Sequence, residues 1–330
     1  MQTVYFGPCI TMTIQAQQPA PSTGLPIASI TGATGPFTGI FRLAELTRVP
    51  RGTRRPYHVI QLVDSSGTLD GYGWDESFRL NGRPAFLDIV EVSGVARVLG
   101  NRVVADIHAL GAPAAVVDLR QAPFLLPVNI CPMPALIPRL LAAISQIQNA
   151  HLRRFVNRML GDKAIAEPFM RLRGSAHHHH AFPAGLLLHS IEVVEIALGM
   201  PNLDAQTRDI CIVGGLFHDV GKIRTLSIGG SSLLGCLVGH EHLTLLICKR
   251  ALDELEAAWP DGAYTLMHVW TAKMTPYAYE RKTPAAHIIA AADRISSEGA
   301  KHAAAFDELP AWLRLTQFND DWYWRPLPPA

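Results

Sequence analysis

Charge is scarce in this sequence: Asp, Glu, Lys and Arg make up 17% of its 330 residues and nearly cancel, to a net +1. That balance excludes a chain that gathers nucleic acid by its overall field, so any such site has to be a local basic patch. A long apolar run is also missing. No stretch approaches the roughly 20 residues needed to cross a bilayer, and the first ten residues lack the basic start and apolar run of a secretory signal. The reading is a soluble, cytoplasmic protein with no membrane partner. Cysteine is sparse: Cys9, Cys131, Cys211, Cys236 and Cys248 are odd in number and widely spaced, with no C-x-x-C pair. This pattern argues against a disulfide framework and fits free, mostly buried thiols in a reducing compartment. No internal repeat is visible.

What is present is enough apolar side chain for a sizeable core, 48% of the chain, and length for about two domains. Residues 1–36 are rich in Gln, Pro, Ser, Thr and Gly without a helical or strand period, and read as a flexible leader. From 37 to 112 short β-branched and aromatic runs alternate with turn signals. Strands are expected at 39–45, 57–63, 68–74, 86–96 and 102–109, with Asp64-Ser-Ser-Gly67 as a turn. Five short strands with tight turns suit a small closed barrel of the OB type. Pro113, Pro123, Pro127, Pro132 and Pro134 mark 113–135 as a semi-rigid linker. Beyond it the period turns helical: Leu136, Leu140, Leu141, Ile144 and Ile147 share one face. Further helices are expected at 152–160, 185–198, 205–219, 242–256, 263–273 and 284–296. The fold class is therefore multidomain: an all-β barrel, then an all-α domain over 136–310. A tail at 311–330, carrying Trp312, Trp322 and Trp324, is expected to dock back on the body.

The 14 histidines cluster in the second half, and histidine is the commonest metal ligand. His218-Asp219 closes an apolar helix just before Gly221. An adjacent His and Asp can both reach one ion at a helix end, although a lone pair of this kind is more often structural or merely exposed. Context raises its weight. His189 follows Gly-Leu-Leu-Leu on an earlier apolar helix, and Asp293 follows Ile-Ile-Ala-Ala-Ala on a late one. A buried carboxylate needs a partner: Arg or Lys in the bland case, a metal in the sharp one. Three apolar helices each delivering a ligand make a Zn, Mn or Fe site plausible. His240 and His268, lying between these elements, are candidate ligands for a second ion. Taken alone, each is better read as a hydrogen-bonded core or surface histidine. The run from His177 to His180 is internal and reads as native, not as a purification tag.

These motifs resemble the H…HD…D signature of the HD phosphohydrolase superfamily, carried by His189, His218-Asp219 and Asp293. An OB-type barrel before such a domain resembles the YhaM-type 3′-to-5′ exoribonucleases. The similarity runs through Tyr57–Asp64 with Gly67 and Trp74, the segment from His179 to Ser190, the turn from His218 to Lys222, Gly239-His240 and Asp293. The chain departs from that pattern with Ala184 and Leu188 in the first motif, Met267-His268-Val269-Trp270 around His268, and Ala285-Ala286 before the last Asp. The histidine run with Gly-Leu-Leu-Leu-His189-Ser190 also resembles the HD-like domain of MobH conjugative relaxases, which act on DNA.

The resemblance implies phosphodiester hydrolysis from the 3′ end of single-stranded RNA or DNA. The alternative it leaves is a DNA-processing protein of a mobile element. It implies one or two divalent ions, Mn first, with Fe, Ni or Zn as alternatives. His189, His218, Asp219 and Asp293 would hold the first ion. Asp219 would bridge to a second, on His240 and His268. Lys222 would steady the phosphate or, equally, face a helix dipole. Arg48, Arg51, Arg54 and Arg55 crowd one barrel loop and, with Trp74 as a stacking face, form the expected strand-binding surface. Tyr57 and Tyr72 could add stacking, although Tyr57 suits the barrel core better. Apolar faces on the helical domain leave self-association into a homo-oligomer open.

Overall fold

The computed structural model describes residues 25–50, 55–114, 119–176, 180–227, 229–272 and 283–327. The barrel is built from β1 (Pro36–Val49), β2 (Tyr57–Val63), β3 (Thr68–Trp74), β4 (Arg79–Asn81), β5 (Ile89–Leu99) and β6 (Arg102–Gly111). The long β1 pairs antiparallel with both β2 and β5, and a register shift between Leu43 and Glu45 bends it from one partner to the other. Parallel pairing of β3 with β6 closes the cylinder. Alternation decides what fills it: Phe41, Ile60, Leu62, Val90, Val92 and Ile107 point inward and are fully buried. Each such side chain contributes roughly 1.5–3 kcal/mol of burial.

Several boundaries differ from expectation. Ile27 and Ile30, within the stretch read as leader, are buried in the barrel core. The fourth expected strand starts later, at Ile89, because Ala85 and Asp88 close a turn and Leu87 takes a positive φ of 60°. The short β4 was not expected at all. In the proline-rich stretch the chain forms 3-10 turns at Leu119–Leu125 and Val128–Ile130, and Leu126 and Cys131 are buried against the helical core.

The second domain comprises α1 (Leu136–Ser145), α2 (Ala150–Gly161), α3 (Lys163–Arg171), α4 (Gly185–Leu198), α5 (Ala205–Phe217) and the short α6 (Lys222–Thr225). The pairing of β7 (Leu226–Ser227) with β8 (Gly230–Ser231) follows, then α7 (His240–Ala258), α8 (Pro260–Thr271) and α9 (Pro284–Ala305). Asn149, Asp162, Asp204 and Thr283 cap α2, α3, α5 and α9 by accepting first-turn N–H groups. The sequence pattern concealed α3 because Pro168 interrupts its period. The central α4 and α5 are apolar on nearly every side and sit in the middle of the bundle. No described helix is long and apolar enough to cross a membrane.

Past α9, β9 (Leu315–Phe318) and β10 (Asp321–Trp324) form a hairpin whose Tyr323 packs with Ala305 and Phe306. Trp312, Trp322 and Trp324 stay exposed. Cys131, Cys211 and Cys248 are buried free thiols and Cys236 is exposed; burial pushes the Cys211 thiol up to about 12.

The two domains are joined by a buried cation. Arg42 lies between the inward-facing Phe41 and Leu43, so it points out of the barrel, yet only 1% of it is accessible. Its guanidinium donates to the carbonyls of Leu87 (2.9 Å), Leu125 (2.7 Å), Leu160 (3.4 Å) and Gly161 (3.2 Å). Lys163 adds a bond from α3 to Asp88, 2.5 Å away.

Candidate metal centre

Four elements deliver the expected ligands to one place. His189 lies in the first turns of α4, His218 caps the end of α5, and Asp219 opens the turn that leads into α6. Asp293 lies mid-way along α9, a helix that runs beyond the expected end at 296. His189 Nε2 is 3.2 Å from His218 Nε2, 3.2 Å from Asp293 Oδ1 and 3.5 Å from Asp219 Oδ2. His218 Nε2 is 3.4 Å from Asp219 Oδ2 and 3.8 Å from Asp293 Oδ1. Ligands about 2.0–2.2 Å from an ion stand about 3.0–3.5 Å from their neighbours. This donor set therefore has the spacing of a coordination shell, and the residues fit a divalent ion.

Small residues make the convergence geometrically feasible. Gly214 and Gly215 let α5 press against its neighbours: a Cβ on Gly214 would meet the Ile289 side chain at 2.6 Å, and one on Gly215 would meet Val194 at 3.0 Å. His218 Nδ1 is 2.8 Å from the Gly215 carbonyl, an acceptor, so its Nε2 turns toward the cluster.

Asp219 is used on both sides. Its Oδ2 faces the histidines and Lys222 Nζ (2.6 Å), while its Oδ1 lies 2.9 Å from His240 Nε2. His240 thus joins from the start of α7, and its Nδ1 is 3.4 Å from Glu241. Lys222 is buried on the Asp219 carboxylate. The carboxylate draws the ammonium inward, beside the ligand cluster.

Among the described residues, His268 belongs neither to the ligand cluster nor to the lining of the adjoining cavity. It is half-buried on α8, and the residues of that helix that line the adjoining cavity are Val269 and Trp270. The Trp270 indole, donating to the Gly214 carbonyl at 3.0 Å, sets the rotation of α8. The helical period of about 100° per residue then carries position 268 away from the wall.

The electrostatics follow from burial. Burial pulls the His218 imidazole down, but the carboxylates of Asp219 and Asp293 outweigh it and lift it to about 10. Burial pushes Asp219 up, yet His218, Lys222 and His189 hold it well below the usual carboxylate range. Asp293 behaves in the same way under His189 and His218. Five charged or chargeable groups, His189, His218, Asp219, Lys222 and Asp293, are thus packed in one largely buried place, an arrangement that marks functional sites. A cavity of about 240 Å³ opens onto them, walled by His218, Asp219, His240, Asp293 and also Arg294 and Ser297. Sequence reasoning missed Arg294, which follows Asp293 directly and adds a cation to the wall.

The turn after the dyad is packed without slack. A Cβ on Gly221 would lie 1.8 Å from the His240 carbonyl oxygen and 3.0 Å from the Thr244 nitrogen. Gly221 N also donates to Thr244 Oγ1 at 3.2 Å. Gly221→Ala is accordingly expected to push α7 away, parting His240 from Asp219. Thermal unfolding should register about 1–3 kcal/mol of overpacking, and activity should fall more than that loss of folded protein explains.

The barrel's expected strand-binding residues are partly visible. Arg48 and Arg55 are exposed and pair with Asp75 (2.6 Å) and Glu76 (2.9 Å); Arg51 and Arg54 lie outside the described residues. Trp74 is exposed, with its ring 5.4 Å from that of Tyr57, and Tyr72 is 6.1 Å from Tyr57. Tyr57 pairs across the sheet with Trp74, and Tyr72 follows on the same outer face. Tyr57 therefore belongs to that outer strip and not to the barrel core, because Ile60 and Leu62 take the inward phase of β2. Arg154 and Arg158 are tied to Glu254 on α7.

Comparison with known proteins agrees with this geometry. Residues 186–298 match the HD-domain family model, a span that holds the His189, His218, Asp219 and Asp293 cluster. The 3′-5′ exoribonuclease YhaM of Listeria monocytogenes serotype 4b (strain CLIP80459) is 25% identical over 207 residues, 61% of this chain and 64% of that protein. YhaM of Bacillus subtilis (strain 168) is 26% identical over 209 residues, 61% of this chain and 65% of that protein. YhaM of Bacillus velezensis is 24% identical over 223 residues, 66% and 69% of the two chains. The chain spans a little under two thirds of the length of the first two of these relatives.

Proposed function

We propose that this HD-domain chain, YhaM-like in sequence, is a metal-dependent phosphodiesterase that removes nucleotides from the 3′ end of single-stranded nucleic acid. The observation that carries the reading is the convergence of His189, His218, Asp219 and Asp293, with ligand atoms 3.2–3.8 Å apart, at the floor of a cavity. A divalent ion held there supplies an acidic bound water and positive charge against the phosphoryl oxygens. The donor set suits Mn, Fe, Ni and Zn, and Mn is the ion to test first.

The chain's own residues do the rest. His189 and His218 present Nε2 to the centre, and Asp219 offers one oxygen to that pair and the other to His240. The two-sided use of Asp219 supports a second ion on the His240 side. Lys222 and Arg294 bring cationic charge to where a phosphodiester would lie. The cavity, about 240 Å³, is below the roughly 300–1,000 Å³ of sites that enclose drug-sized ligands, which suits one strand end and not a duplex.

The outer face of β2 and β3, with Tyr57, Tyr72 and Trp74, supplies stacking surface, and Arg48 and Arg55 supply charge. Exposed ion pairs contribute only about 0–1 kcal/mol, so Asp75 and Glu76 can yield these arginines to phosphates. The variant carrying Arg48→Ala and Arg55→Ala is expected to bind a single strand more weakly at low salt. Its log Kd against log salt plot should be shallower by roughly 1–2. An unchanged slope would remove both residues from the interface.

The relatives' name, exoribonuclease, favours RNA. Incubation of 5′-labelled single-stranded RNA and DNA with Mn²⁺ tests both polarity and sugar. A ladder shortening from the 3′ end, faster on RNA and abolished by EDTA, is expected. Cleavage of DNA alone at one internal position would support the mobile-element reading instead, and binding without cleavage under every metal would end the exonuclease reading.

A further inference from the structure

We infer that Ser296, Glu192 and His180 form a positioning relay that fixes which nitrogen of His189 faces the metal centre. The inference rests on the metal-centre reading above and extends it to residues outside the ligand set. Ser296 Oγ lies 2.7 Å from Glu192 Oε2 and 3.0 Å from His189 Nδ1. A carboxylate can only accept, and a hydroxyl has one proton to give. That proton goes to Glu192, so the Ser296 oxygen accepts from His189 Nδ1–H. With a proton held on Nδ1, Nε2 is the nitrogen that can give its lone pair to an ion, and it is the atom within 3.2–3.5 Å of His218, Asp293 and Asp219.

The far end of the relay is held by backbone. His180 Nε2, 2.9 Å from Glu192 Oε2, donates to the same carboxylate. His180 is buried at a positive φ of 53°, and its carbonyl accepts from Gly174 N at 2.8 Å. A Cβ on Gly185 would come within 2.0 Å of that carbonyl oxygen, so only glycine there lets the segment close over α4. The spacing is repeated on both helices. His189 and Glu192 are three apart on α4, and Asp293 and Ser296 are three apart on α9, one turn along a shared face in each case. The relay therefore ties the two ligand-bearing helices at the level of their ligands, and none of Ser296, Glu192 and His180 lines the cavity. Carboxylate-backed histidines of this kind set the ring orientation and raise ligand basicity.

The test uses Ser296→Ala and Glu192→Gln in the full chain, with thermal unfolding as a check on folding. One readout is ¹⁵N NMR of the His189 ring in metal-free protein, and the other is calorimetric titration of Mn²⁺. The wild type is expected to keep a proton on Nδ1, whether or not Nε2, 3.2 Å from Asp293 Oδ1, also carries one. Ser296→Ala should populate the Nε2–H form and bind Mn²⁺ about 10–100-fold more weakly. Glu192→Gln keeps an acceptor oxygen but loses the charge, so it should keep the tautomer and lose less affinity. Wild-type affinity and an unchanged tautomer in Ser296→Ala would overturn the relay. If the wild type takes up no Mn²⁺, the metal-centre reading fails, and the tautomer in the wild type and in Ser296→Ala still decides the relay.

Discussion

Asp219→Asn is expected to lower kcat/KM for phosphodiester hydrolysis by roughly 10³-fold or more, about 4 kcal/mol of transition-state stabilisation. The size follows from how many groups depend on that carboxylate. Oδ2 is 2.6 Å from Lys222 and 3.4–3.5 Å from the two histidines, and Oδ1 is 2.9 Å from His240. Asparagine replaces one of those oxygens with an NH₂ group, which cannot ligate an ion and presents a proton where a donor atom is needed. It also removes the charge that balances His218 and Lys222 in a nearly dry place. The amide preserves shape, so circular dichroism and thermal unfolding should show a folded chain while turnover collapses. A variant that keeps more than about a tenth of the activity would take Asp219 out of the centre.

Arg42→Met should destabilise the chain by about 3–5 kcal/mol, because several carbonyls lose their donor and each one left unsatisfied costs roughly 1–3 kcal/mol. Four carbonyls, at Leu87, Leu125, Leu160 and Gly161, accept from this one guanidinium. Methionine replaces part of the volume and none of the donors, so each buried carbonyl loses a partner. Those carbonyls belong to a barrel turn, the proline-rich stretch and the end of α2, so the loss should loosen the seam between domains first. Denaturant unfolding with barrel and helix signals followed separately checks this. Coincident transitions at the wild-type midpoint would contradict it; an early barrel transition is the expected result.

Arg42 also illustrates what the sequence concealed. Alternation with Phe41 and Leu43 placed it on the outer face of β1, which is correct, but nothing local says that the outer face is covered by α2. The same limit applies at the candidate metal centre. His189, His218-Asp219 and Asp293 stood out because each ends an apolar run with a polar ligand type, and the structure brings these four together. His240 followed from its position in the order and does reach Asp219. His268 was proposed on the same ground, but α8 is fixed by the Trp270 indole donating to the Gly214 carbonyl, a long-range bond with no local signature. Ser296 and Glu192 carried no motif, and His180 stood only within the histidine run, since their roles depend on α4 and α9 lying side by side. The barrel strands were legible from their period of two, whereas β4 and the late start of β5 depend on a turn with a positive φ at Leu87. Arg48 and Arg55 were read as a bare basic loop, and the acidic partners Asp75 and Glu76 come from the far side of the β3 turn.

The most direct test of the central claim is to strip the chain of metal and titrate Mn²⁺ back while following nucleotide release from 5′-labelled single-stranded RNA, for wild type and Asp219→Asn together. The account predicts no release without metal, activity that rises with bound Mn²⁺ and saturates at one or two ions per chain, and no recovery in the variant. Hydrolysis by the stripped chain, or equal recovery in Asp219→Asn, would contradict it.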